Sequence, residues 1–307
     1  MNDLIDHLDE FAKFELKTYS SHPDSGRALS FLKQEIMDEF YDLNSKDTKY
    51  VRRSYFNIEG IKDADFSERL IVLKSGKRVI AGIRHMGANI DLPFVNIKAN
   101  FEIETRDEAF DVYKEVFHFF EAFSPKYIRV YSAQNIKADL IGSVYMLASY
   151  NEVISIKAWD KEKDINFETI ANDDYYQWYK ENYELFHQES PNLKNKVTVN
   201  SKEVMSDSRD EGLLKYIFYK GIKIGLISAE ASSFLGAKSI YFNEIFILTD
   251  YRKIGLAKAA QRKFIESFAS KDQLVWGTID YNNTASFKTA RANGRVAVRY
   301  ENFFRLS

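Results

Sequence analysis

The segment with the clearest chemical content runs from Glu244 to Ala260. There the apolar run Ile245-Phe246-Ile247-Leu248 passes through Thr249-Asp250-Tyr251-Arg252-Lys253-Ile254-Gly255 into Leu256-Ala257-Lys258-Ala259-Ala260. The pattern predicts a strand, a short basic turn and a helix. A helix start presents backbone N–H groups with no partner inside the helix, together with a partial positive charge of about half an elementary unit. Gly255 beside such a start lets a diphosphate approach the backbone, Arg252 and Lys253 add charge, and the small Ala257 leaves the ligand room. These residue types at this spacing can hold a phosphorylated ligand; the plainer alternative is a strand-to-helix connection whose glycine serves tight packing.

Other chemistries find less material. The chain of 307 residues has no cysteine, which excludes disulfides, thiolate metal sites and cysteine nucleophiles. His7, His22, His85, His118 and His187 show no HxxxH or HxH spacing, so no metal is expected. With 43 Lys+Arg against 45 Asp+Glu, a formal net charge of -2 gives no long-range pull toward nucleic acid or an anionic membrane. The segment Met1-Asn2-Asp3-Leu4-Ile5-Asp6-His7 lacks the basic and apolar runs of a secretion signal, and no apolar stretch approaches the ~20 residues of a membrane span. The expectation is a soluble cytoplasmic protein without nucleic-acid or membrane partners.

The elements that position the turn are written twice. Arg69-Leu70-Ile71-Val72-Leu73, a turn at Gly76 and Arg78-Val79-Ile80-Ala81-Gly82-Ile83 read as a hairpin, and so do Leu213 to Tyr219, Gly221 and Ile222 to Ile227. After the first hairpin the pattern predicts a strand at Asn100-Phe101-Glu102-Ile103-Glu104. A helix opened by Thr105 follows, with Phe110, Tyr113, Phe117 and Phe120 on one face, and then a strand at Tyr127-Ile128-Arg129-Val130-Tyr131. After the second come a strand at Tyr241 to Leu248, a helix striped by Leu256, Ala260, Phe264 and Phe268, and a strand at Leu274 to Ile279. The spacing from Gly76 to Gly221 nearly equals that from Asn135 to Asn283, which suggests duplication. Two α/β (α+β) domains of similar size follow, 1–160 and 161–307. Between them, Asn172-Asp173-Asp174 caps a helix carrying Tyr176, Tyr179, Tyr183 and Phe186, a stripe read as core, with the lining of an acceptor pocket as the alternative.

Arg252-Lys253-Ile254-Gly255-Leu256-Ala257 resembles the Q/R-x-x-G-x-G/A signature of the GNAT superfamily of acyl-CoA-dependent N-acetyltransferases. Its context strengthens the likeness: a strand precedes it, and a helix, a strand and then Asn283-Thr284-Ala285-Ser286 with Gly294 follow, similar to the family's N-x-A-S…G helix. The resemblance covers about residues 170–307. It implies two GNAT-like domains, each a mixed, mainly antiparallel sheet flanked by helices. It also implies acetyl-CoA as co-substrate, with Ile247, Leu248 and Thr249 bonding the pantetheine arm through their backbone. The amides of Lys253, Ile254, Gly255, Leu256 and Ala257, next to Arg252, would hold the pyrophosphate, and Asn283 and Ser286 would stand beside the arm. Glu244 is the implied general base. The acetyl group would pass directly to a primary amine of a small molecule or peptide in a monomer or homodimer.

Two departures stand out. The slot where many members carry a tyrosine acid falls on Ala290, which leaves Tyr281, Ser286 or Tyr300 as hydroxyl replacements, with Tyr281 preferred, or an unassisted thiolate. In the first copy Glu104-Thr105-Arg106-Asp107-Glu108-Ala109 occupies the loop position, with no glycine and three carboxylates. That copy is expected to have lost its cofactor. The alternative to an acetyltransferase is a catalytically silent acyl-CoA-binding or partner-binding protein.

Overall fold

Apolar runs broken by turns at Gly76 and Gly221 build the two hairpins at the expected places in a computed structural model that describes residues 2–194 and 197–306. Both glycines turn with positive φ, 80° in each case, where a side chain would be strained. The described strands are β1 Arg69–Val72, β2 Arg78–His85, β3 Pro93–Ala99, β4 Tyr127–Ser132, β5 Leu140–Ser149, β6 Ile165–Thr169, β7 Leu214–Tyr219, β8 Ile222–Phe234, β9 Ala237–Ile247, β10 Leu274–Asp280 and β11 Val296–Arg305. The α-helices are α1 Asn2–Ile5, α2 Leu8–Lys17, α3 Ser25–Asn44, α4 Lys46–Phe56, α5 Arg106–Val116, α6 Tyr150–Ser155, α7 Tyr175–Glu189, α8 Lys202–Asp210, α9 Leu256–Phe268 and α10 Thr284–Ala292. The protein is mixed α/β, with mixed sheets flanked by helices. No helix among the described residues is long and apolar enough to cross a membrane.

Two compact units form, Met1–Gly142 with Val298–Ser307, and Ser143–Ala297. The division differs from a cut near residue 160 because strands are not partnered in chain order. In the N-terminal unit β1, β2 and β3 run antiparallel to their neighbours, β3 and β4 are parallel, and β4 is completed by β11, with Tyr300 opposite Ser132 and Arg305 opposite Tyr127. In the C-terminal unit β6, β7, β8 and β9 are antiparallel in turn, β9 and β10 are parallel, and β10 is completed by β5, with Leu274 opposite Ser149 and Asp280 opposite Ser143.

One expected strand is displaced. Asn100 to Glu104 is loop, and the strand lies just before it as β3, where Phe94, Val95 and Ile97 are buried. Pro93 disguised it: a proline breaks a strand interior but is tolerated at the first position. Helix α5 starts after Thr105 as expected, yet its buried face is Ala109, Val112 and Val116, and Phe117 is exposed.

In the C-terminal unit the sheet has two covered faces. Phe242, Ile247 and Val275 pack with Leu256, Ala260 and Phe264 of α9. Leu214, Leu226 and Phe246 pack with Tyr175, Tyr179, Tyr183 and Phe186 of α7 and Met205 of α8. Tyr179, Tyr183 and Phe186 of the expected stripe are core, whereas Tyr176 is half-buried and, of that pair, its neighbour Tyr175 is the one fully covered.

Candidate functional site

Strands β9 and β10 begin side by side and then part. They pair only at Ser239/Leu274, Ile240/Val275 and Tyr241/Trp276, although β9 continues to Ile247 and β10 to Asp280. From Phe242 and Gly277 onward the ladder between them is absent. The opposite edge of β9 stays held to β8 as far as Ile247/Gly225. That close approach requires a glycine, because a Cβ on Gly225 would stand 2.0 Å from the Phe246 carbonyl oxygen.

A bulge then sorts the side chains of β9. Ser228 faces Glu244 and Ala229 faces Phe242, leaving Asn243 as the extra residue. One inserted residue reverses the alternation on either side of it. Phe242 consequently lies on the α9 face, 5.7 Å from the Phe264 ring, whereas Glu244 lies on the α7 face. There the phenols of Tyr179 and Tyr183 both donate to Glu244 Oε2, Tyr183 at 2.7 Å. The backbone N–H of Asn200 donates to Tyr179 Oη at 3.2 Å, and Asn200 Nδ2 donates to the Asn243 carbonyl at 3.1 Å, fixing the bulge.

Burial raises the Glu244 carboxyl above the usual carboxylate range. The two phenols, the Ile245 N–H and Arg252 act in the opposite direction without cancelling it. Burial and the Glu244 charge push Tyr179 and Tyr183 upward, so both phenols remain protonated donors. A half-buried carboxylate with one oxygen doubly bonded and an elevated pKa can accept a proton near neutral pH.

The turn after β9 is built as its residue types required, with two rearrangements. Thr249–Tyr251 forms a 3-10 turn, Lys253 and Gly255 take positive φ of 62° and 85°, and α9 begins with Gly255 as its cap. No side chain caps it. The backbone N–H groups of Lys253, Ile254, Gly255, Leu256 and Ala257 meet no acceptor among the described residues.

Arg252, however, does not point its charge into the turn. Its guanidinium lies 4.2 Å over the Phe186 ring and 5.1 Å over that of Phe246, and Nε donates to the Ile247 carbonyl at 2.6 Å. Leu248 is also turned away, its N–H to the Ile224 carbonyl at 2.7 Å and its own carbonyl to Tyr251. That bond sets the phase of the ladder: Leu248, Phe246 and Glu244 address β8, so the backbone groups of Ile247 and Ile245 face away from β8, with the Ile247 carbonyl also accepting from Arg252. Ile245 went unnoticed in the sequence because a ladder's phase has no local signature.

On the other wall, Asn283 caps α10, its Oδ1 accepting the Ser286 N–H at 3.1 Å. Tyr281 lies just past β10, 45% exposed, with its ring 6.1 Å from that of Phe287. Ala290 is fully buried.

No family profile matches the sequence, and no curated protein matches it. Solved structures do. A GCN5-related N-acetyltransferase from Sphaerobacter thermophilus superposes over 98% of this chain and 94% of its own, with a TM-score of 0.54 at 10% identity. A GNAT-family acetyltransferase from Colwellia psychrerythraea covers 85% of this chain and 96% of its own, with a TM-score of 0.50 at 10% identity.

The chain has the GNAT fold. Within that GNAT fold the two units treat the strand-to-helix turn oppositely. At α5 the N-cap Thr105 accepts the Glu108 N–H at 3.2 Å, while Glu108 Oε2 accepts the N–H groups of Glu104 at 2.8 Å and Thr105 at 3.0 Å. The positions that an anion would take at α5 are already filled by the chain's own carboxylate, held below its ordinary range chiefly by the Glu104 N–H. The N-terminal unit still parts its parallel strands after Asn96/Arg129, and a cavity of about 210 Å³ opens among Ile97, Phe101, Val130, Tyr131 and Phe14 of α2. Among the described residues no cluster of His, Cys, Asp and Glu is arranged to hold a metal ion.

Proposed function

We propose that this protein transfers an acyl group, acetyl in the simplest case, from acyl-CoA to a primary amine of a small molecule or peptide. The observation that carries the reading is the run from the parted strands β9 and β10 to the uncapped start of α9. An extended arm fits the gap as an added strand would, bonding the backbone of Ile245 and Ile247, and its diphosphate meets the free N–H groups from Lys253 to Ala257. Thr249 and Lys253 flank that end, Asn283 and Ser286 stand on the opposite wall, and Arg252 braces the turn. Two solved structures that share the fold over most of this chain are both named as acetyltransferases.

Glu244 takes the proton that the attacking ammonium must lose, directly or through water. Tyr281, the hydroxyl preferred from the sequence for the leaving group, stands past β10 at the open end of the gap, near the diphosphate end of such an arm and away from its thioester. The N-terminal unit is then a second GNAT-like copy whose turn has been closed by Glu108. Ala290 favours one other reading, a protein that binds acyl-CoA without turning it over.

Gly255→Glu tests the cradle. It places a carboxylate where the diphosphate binds, at the cost of roughly 1 kcal/mol for a side chain at positive φ. Calorimetry with CoA is expected to show binding by the wild type and none by the variant, while both unfold cooperatively. Undiminished affinity in the variant would remove the diphosphate site. Thiol release from acetyl-CoA across a panel of amines separates transfer from silent binding.

A further inference from the structure

Arg295, between α10 and β11, is a buried cation without a counter-ion. It is 4% exposed. Its Nη2 donates to Gln261 Oε1 at 2.9 Å, and that oxygen also accepts from Asn293 Nδ2 at 3.2 Å, so the partners are neutral. Nε has no hydrogen-bond partner, and Nη1 makes none among the described residues. Burial alone pushes the guanidinium down to about 10, with no neighbouring charge contributing, so it stays a cation at neutral pH. Burying such a group is unfavourable, and neutral partners, the Gln261 amide and the Phe242 ring, offset it only in part. An apolar side chain would fill the same space without that penalty.

The position of this charge is informative. The guanidinium lies 5.3 Å from the Phe242 ring, and Nη1 lies 3.4 Å from where a Cβ on Gly277 would stand. Phe242 and Gly277 are the first residues beyond the last paired rung, Tyr241/Trp276, so Arg295 sits at the closed end of the gap. Gly277 puts no side chain between it and that end. An arm laid along β9 from the start of α9 passes Ile247 and reaches Phe242 after roughly 16 Å of strand, and its terminal sulfur arrives there. Arg295 approaches from the α9 face and Glu244 from the α7 face, on opposite sides of β9.

We propose that Arg295 holds the thiolate of CoA as the acyl group leaves it. The proposal rests on the acyl-CoA reading above. The amine lone pair forms the C–N bond while the carbonyl π pair moves to oxygen. When that pair returns, the C–S bond breaks and its electrons stay on sulfur, beside the guanidinium. Glu244 takes the ammonium proton before attack, the nitrogen's second proton passes to water as the C–S bond breaks, and the released thiolate takes a proton from water. A charge on the α9 face thus does what a hydroxyl in the Ala290 slot would otherwise do.

The test compares CoA with desulfo-CoA, which lacks the thiol, by calorimetry between pH 6.5 and 9, supported by the ultraviolet absorbance of the bound thiolate. A free thiol ionises near about 8.5. A site that favours the thiolate lowers that value, so CoA is expected to gain on desulfo-CoA as pH rises, roughly tenfold for each unit of lowering. Glu244, across the strand, works against the gain as it ionises, while the phenols of Tyr179 and Tyr183 stay protonated over this range. Arg295→Met is expected to abolish the gain while leaving desulfo-CoA affinity within about twofold, and Arg295→Lys to keep part of it. A ratio that is flat with pH in the wild type, or unchanged in Arg295→Met, overturns the assignment; the wild-type series decides even if the variants do not fold. A wild type that binds neither ligand overturns the acyl-CoA reading itself.

Discussion

Glu244 owes its chemistry to two tyrosines that read, in the sequence, as core. Tyr179 and Tyr183 are buried by the helical spacing that makes them core, and the phenol tip of each reaches a polar partner, as a buried tyrosine must. Because both donate to the charged carboxylate, they restrain a pKa that burial has raised. The base works only when ionised, so the rate should rise with pH through that elevated pKa. Tyr179→Phe and Tyr183→Phe remove donors to the ionised form and should move the rising limb to higher pH. Glu244→Gln should lower turnover by roughly a hundredfold and abolish the limb, with CoA affinity retained. For stability the sign is reversed: a carboxyl whose folded pKa is raised supports the fold at low pH, and the support is lost as pH rises through that value. A pH–rate profile of Tyr183→Phe that overlays the wild type would leave the phenol a packing role alone.

At the scale of elements, the site depends on how β9 is held and released. Its β8 edge is gripped as far as Gly225, and its β10 edge is let go after Tyr241. The gripped edge leaves no slack, since a Cβ on Gly225 would meet the Phe246 carbonyl at 2.0 Å and the Ile247 Cα at 3.1 Å. Both obstacles are backbone, which cannot rotate aside. Gly225→Ala should therefore cost roughly 2–3 kcal/mol, read as a lower urea midpoint at unchanged slope. It should also weaken CoA binding, although residue 225 touches no ligand, because the end of β9 must shift. A variant of full stability would mean that the strands have room the geometry does not show. The α9 turn was legible in its residues, including the glycine that opens the helix. The bulge at Asn243 was not, and without it Glu244 would share the face of Phe242.

On the scale of the molecule, the strand partners decide what can stand alone. The N-terminal unit takes its last strand from residues 298–307, including the buried Phe303 and Phe304, and the C-terminal unit takes its first from residues 143–149. Fragments 1–160 and 161–307 each lack a strand and leave a hydrogen-bonding edge uncovered, a condition that promotes aggregation. Neither is expected to unfold cooperatively in a circular-dichroism melt, whereas the full chain is. A sharp transition from 161–307 alone would show that β5 is dispensable.

Local patterns were enough for what is local. The two hairpins, the helix start at Gly255, the capped start at Thr105 and the strand that carries Glu244 all follow from turn residues and periodicity within a few positions. The partners of β4 and β10, the parting of β9 from β10, the turning of Arg252 onto Phe186 and the burial of Arg295 over Gly277 join residues distant in the chain. Nothing in a short window encodes such pairings. They arise from the competition for buried area and hydrogen-bond partners across the whole fold, which is why Arg295, which no local pattern singled out, became the buried cation at the end of the gap.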